Sequence, residues 1–157
     1  MRRLFVPAAA LLLVAGCGDN GEGKEIFEQA EAGLSRVQTI DARLVVRALV
    51  PIERSAMLDA ANVPFSDLHV ARWAKDARRV DCEAGLDCAR ADVDVETAAR
   101  ELEPVLPALP IDPSSIRSAE MRVAVGKDDG RPRNIELEGE FDLGVVPVRF
   151  EADLDLR

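Results

Sequence analysis

The chain has no tyrosine, a single histidine, three cysteines and only 4% aromatic residues in 157 positions. With one histidine, a serine-histidine-acid mechanism would have to use His69. That residue stands in a strand-like stretch beside Val70 and near Trp73, the setting of a surface or satisfied core histidine rather than a general base. Neither G-x-S-x-G nor a glycine-rich phosphate loop occurs. One histidine with two distant thiols is an incomplete zinc site. No enzymatic activity, cofactor or metal is therefore expected. Lysine is scarce and the arginines are scattered, so no basic patch forms. Past residue 16 the chain carries 18 basic against 29 acidic residues, a net charge of −11 that repels nucleic-acid phosphates and anionic headgroups. No nucleic-acid partner is expected. Repeats and a second composition block are also missing, and a hydrophobic share of 48% suits one globular core.

What is present starts at the N-terminus. Met1 to Cys17 reads MRRLFVPAAALLLVAGC, with Arg2 and Arg3 followed by an apolar run from Leu4 to Ala15 and then small residues. The run is too short to span a bilayer, so it reads as an export signal. Val14-Ala15-Gly16-Cys17 resembles the lipobox of bacterial lipoproteins. That resemblance implies a diacylglyceryl group on the Cys17 thiol, cleavage before it, and a mature protein anchored on the extracytoplasmic side of a membrane. The competing readings are an ordinary cleaved signal with an incidental cysteine and a buried amphipathic helix. Gly18-Asp19-Asn20-Gly21 shows no helix or strand pattern. The expected organisation is a signal over 1–16, a lipidated tether over 17–23 and one domain over 24–157.

In an exported chain the remaining cysteines, Cys82 and Cys88, favour a disulfide. They flank Glu83-Ala84-Gly85-Leu86-Asp87, whose glycine suits a turn, so the bridge would close a hairpin. A redox pair usually has two intervening residues at a helix start, not five in a turn.

Ile26, Phe27, Ala30, Leu34 and Val37 recur at helical spacing and predict an amphipathic helix over Glu22 to Val37. From Ile40 to Ile52 the apolar period is two, which predicts one long half-exposed strand, followed by a loop over Glu53 to Pro64. Further strands are expected over Leu68 to Ala74, Ala77 to Cys82 and Cys88 to Val95, with a turn near Lys75-Asp76. Asp94 is placed to cap a short helix ending at Glu103, where Pro104 stops it. Prolines 104, 107, 110 and 113 then recur every third residue. Their apolar fillers favour a packed connection over an exposed recognition segment.

The last third has the clearest alternation. Ala119, Met121, Val123 and Val125 share one face of a strand, and Ile135, Leu137, Gly139, Phe141 and Leu143 share one face of the next. Gly144-Val145 supplies a two-residue turn into a strand with Val146, Val148, Phe150, Ala152, Leu154 and Leu156 inward. Pairing Leu143 with Val146 sets Phe141 opposite Val148, Gly139 opposite Phe150 and Glu140 opposite Arg149. The carboxylates between them, from Glu136 to Asp155, read as a solvated sheet face. The fold class is α+β: a curved antiparallel sheet of about six to eight strands, with the N-terminal helix and one short helix on its apolar face.

Lipobox, helix, long strand, further strands, short helix and a terminal meander containing Asp128-Asp129-Gly130-Arg131-Pro132-Arg133-Asn134-Ile135 follow one another in order. This succession resembles the LolA/LolB-like superfamily and its LppX/LprG-type envelope lipoproteins. The resemblance implies a half-barrel whose concave apolar face holds a lipid or other apolar ligand. Val46, Val50, Met121, Val123, Phe141, Val148 and Phe150 would line it, and Ile26, Phe27 and Leu34 would form the lid. The alternative is a non-catalytic envelope scaffold in which the same residues are a filled core. The oligomeric state is left open by the pattern.

Overall fold

A computed structural model describes residues 19–48, 51–102 and 113–157; Cys17, Val50 and most of the proline-spaced segment lie outside them. Helix α1 (Asp19–Leu34) is followed by strands β1 (Thr39–Arg47) and β2 (Ile52–Asp59), a one-turn helix α2 (Val70–Trp73), and strands β3 (Ala74–Val80) and β4 (Leu86–Val93). Helix α3 (Val95–Leu102) and the long strands β5 (Ile116–Gly126), β6 (Pro132–Leu143) and β7 (Val146–Leu156) complete the chain. The seven strands form one open, curled sheet in the order β2-β1-β7-β6-β5-β4-β3, with each neighbouring pair antiparallel. The α+β class and the strand number agree with the sequence reading.

The α1 stripe is buried as expected. Phe27 and Ala30 are fully covered, Leu34 nearly so and Ile26 almost as deeply, while Val37, expected on the same helix, is buried just beyond its end, because α1 stops at Leu34. They pack with Met121, Val123, Val125, Ala89 and Ala91 of the sheet and with Phe65, Val70 and Trp73 in one contiguous core. Each of the larger side chains contributes on the order of 1.5–3 kcal/mol by leaving water, before the entropy of ordering it is subtracted. α1 lies against β3, β4, β5 and the start of β6. The Glu31 carboxylate accepts the Ala71 backbone N–H at 2.9 Å and ties α2 to it.

Several expectations are corrected. The helix starts at Asp19, within the stretch read as a tether. Gly23, the last residue of that stretch, is buried where α1 crosses β3; a Cβ there would stand 2.5 Å from the Arg78 nitrogen. The long strand from Ile40 ends at Arg47, and the expected loop after Glu53 is β2, paired in unbroken register from Thr39↔Asp59 to Val46↔Ile52. β2 is an edge strand exposed along nearly its whole length, so neither of its faces imposes an apolar period. Leu68 to Ala74 is not a strand: Val70 and Trp73, three apart, are both buried under one helical turn. The turn expected at Lys75-Asp76 is a bulge inside β3, with Asp76 at φ 50°.

The meander register is as read from the sequence, including Leu143↔Val146, Phe141↔Val148, Gly139↔Phe150 and Glu140↔Arg149. The sequence pattern did not reveal that β7 also pairs with β1, from Ile40↔Leu156 to Arg47↔Arg149.

Candidate functional site

The apolar face of the sheet is built in cross-strand rows. Ala42, Leu154, Ile135, Val123 and Ala89 form one row, and Leu44, Ala152, Leu137, Met121 and Ala91 the next. Val46, Phe150, Gly139 and Ala119 form a third, followed by Val148, Phe141 and Ile116, and finally by Val146 and Leu143 at the β6–β7 turn. Alternation at period two aligns these side chains because every strand keeps register with its neighbour.

The residues expected to line one concavity fall into two groups. Ile26, Phe27, Leu34, Met121 and Val123 belong to the filled core beneath α1. Phe141 and Val148 are buried but stand outside that cluster, and Val46 and Phe150 are half-buried beyond the helix. The Phe141 and Phe150 rings pack with centroids 6.2 Å apart, within the range of favourable aromatic pairs. Exposure then rises toward the turn, to 49% at Val146, 66% at Leu143 and 95% at Val145. Ile52, paired with Val46 on the same face, is 49% exposed. The helix therefore covers one part of the apolar face; at the β1, β7 and β6 end Val148 and Phe141 are buried outside its cluster, while Val46, Phe150, Val146, Leu143 and Ile52 are half-buried or exposed.

The opposite face is charged and carries a cavity of about 270 Å³ among Val80, Asp81, Arg90, Glu120, Arg122 and Glu136. A smaller one, about 50 Å³, lies at the end of α1 beside Gly33, Val37, Pro132 and Leu156. Neither opens beneath the Phe27 and Leu34 stripe. In the larger cavity Glu120 is held by Arg90 and by Arg78 at 3.4 Å, while Arg122 reaches Glu136 at 3.5 Å and the Asp81 carbonyl at 3.3 Å. Along this face the Arg47 guanidinium, 2.8 Å from Glu151, holds that carboxyl below its ordinary range, and Arg43 does the same to Glu53 at 2.7 Å. A general acid needs the opposite shift. Among the described residues no group of three or more His, Cys, Asp or Glu is placed to hold a metal.

Cys82 and Cys88 form a disulfide with Cα atoms 6.0 Å apart, closing the β3–β4 hairpin. His69 donates through Nδ1 to the Asp67 carbonyl at 2.7 Å and lies 3.9 Å from Glu101. The same Glu101 carboxylate accepts the indole N–H of buried Trp73 at 2.8 Å and so joins α2 to α3. The histidine thus stands in a structural linkage and adjoins neither cavity. No described helix is long and apolar enough to cross a membrane. No protein-family model matches the chain, and no curated protein matches it.

Proposed function

We propose that the protein is an exported, non-catalytic lipoprotein, anchored through a lipid on Cys17, that binds a lipid or another apolar ligand on the part of the sheet that α1 leaves less covered. The observation that carries this reading is the continuation of the apolar rows past the helix. Val46 and Phe150 remain half-exposed, and Leu143 and Val146 more so, on a face whose other part is closed core. A chain with 29 acidic residues keeps this stretch free of carboxylates, since residues 42–52 and 143–150 contain neither Asp nor Glu. The packing beneath α1 moves the proposed site from under the helix to the β1, β7 and β6 end.

The filled core also favours a second reading, an envelope scaffold without a ligand. Native mass spectrometry of the chain purified from a lipid-containing host separates the two. Co-purifying lipid that is lost in Phe150→Glu, with circular dichroism unchanged, supports the ligand reading. Lipid-free protein leaves the scaffold. Anchoring has its own test: Cys17→Ala abolishes metabolic lipid labelling and shifts the protein out of the membrane fraction, and unchanged labelling rejects the anchor.

A further inference from the structure

We infer that the tip of the β6–β7 hairpin is a wedge that enters the interfacial layer of a lipid bilayer, with Leu143, Val145 and Val146 as the inserted side chains. The inference goes beyond the proposed anchor and ligand; it shares Leu143 and Val146 with the rim of the proposed ligand surface and differs from it in naming a bilayer as the occupant of the tip.

Local structure does not call for these residues. The tight turn is supplied by Gly144 at φ 68°, and the second central position would suit a small polar residue; Val145 occupies it at 95% exposure. Leu143 and Val146 form the last rung of the hairpin, 66% and 49% exposed on the apolar face. Three aliphatic side chains at the apex of a register-locked hairpin conflict with folding logic and mark a contact surface.

The electrostatics around the tip select the occupant. The two acids nearest the tip on β6 are neutralised in place: Asp142 by Arg117 at 2.8 Å and Glu140 by Arg149 at 2.8 Å. Among the described residues, a protein with a formal net charge of −9 thereby presents an apolar end whose nearest β6 acids are paired, toward a surface that its remaining charge would repel. Arg149 and Arg117 have long aliphatic stems and charged heads, suited to headgroup depth. A protein partner fits less well. Three side chains at a hairpin apex are far short of the roughly 1,200 Å² that a stable protein interface buries. In an interfacial layer each inserted side chain contributes on its own, and no complementary surface is required.

The test uses the full chain carrying Cys17→Ala, so that a lipid on residue 17 contributes nothing, with Val145→Trp as the probe. Buried Trp73, 3% exposed, gives a constant background. Vesicles of phosphatidylethanolamine and phosphatidylglycerol brominated near the top of the acyl chain should quench the new emission about twofold and shift it to the blue, as for an interfacial indole. Adding Leu143→Asp and Val146→Asp to the same chain should abolish the quenching while far-ultraviolet circular dichroism stays unchanged. Unquenched emission from Trp at 145 overturns the inference. Quenching that survives the two aspartates does so as well, because another part of the chain would then be making the contact. A blue shift that follows protein concentration without vesicles would assign the tip to a second copy of the chain instead.

Discussion

The ring of Phe150 on β7 lies across Gly139 on β6. A Cβ at position 139 would sit 2.6 Å from the ring and 2.5 Å from the Ser118 carbonyl of β5. Glycine normally weakens a strand interior, but here the aromatic neighbour covers the bare backbone, so the pair works as a unit. Gly139→Ala should therefore cost about 1–3 kcal/mol through overpacking, read as a lowered urea midpoint. Adding Phe150→Leu should recover part of the loss and not all of it, since the Ser118 carbonyl remains in the way.

Two glycines in α1 should respond in opposite directions. Gly23→Ala drives a Cβ into the Ala77-Arg78 backbone and should destabilise by roughly 1–3 kcal/mol by forcing the helix away from β3. Gly21 has nothing within 4 Å of a built Cβ, so Gly21→Ala should stabilise by a few tenths to about 1 kcal/mol through helix propensity. Thermal melts of the two variants against the parent chain check the sign of each.

Glu101→Ala should leave the Trp73 indole N–H without its carboxylate in a buried site, costing about 1–3 kcal/mol. Because Trp73 is the single tryptophan, its emission reports the change directly. Glu101→Gln keeps an acceptor oxygen and should stay closer to the parent chain.

The Asp94 carboxyl titrates below its ordinary value of 3.8, because it is bonded to Lys75 at 3.1 Å and accepts the Thr97 N–H at the start of α3. A carboxyl lowered in the folded state adds stability that is complete above its unfolded pKa and is lost as pH falls through the folded value. α3 should therefore hold through mildly acidic pH and loosen only below about pH 4. Carbon-detected titration of Asp94 measures the lowered midpoint. Asp94→Asn, which keeps a capping oxygen and drops the ion pair, should flatten the acid limb.

Legibility in the sequence followed burial. β5, β6 and β7 each have one covered face, so alternation and register could be read to the individual pair. β2 has no covered face and left no period to find. α2 is a single turn, too short for helical spacing to outweigh the strand-like look of Val70-Ala-Arg-Trp73. Asp94 was legible as a cap because its side chain acts within its own helix, and Cys82–Cys88 because the intervening turn is local. The candidate site was legible as a stripe but not in its division. Alternation is the same whether Met121 faces Phe27 or Phe150 faces a ligand, and only the path of α1 across the sheet separates the two groups.

The strand order has a kinetic consequence. β7 lies between β1 and β6 and pairs Leu156 with Ile40, far apart in sequence. The β1–β2 hairpin therefore joins the rest of the sheet only through this long-range pairing with β7. Long-range pairing of this kind slows folding, because loop-closure entropy is lost before the contacts form. For the exported protein proposed above, slow closure of the sheet would lengthen the time in which the chain can still be threaded across a membrane.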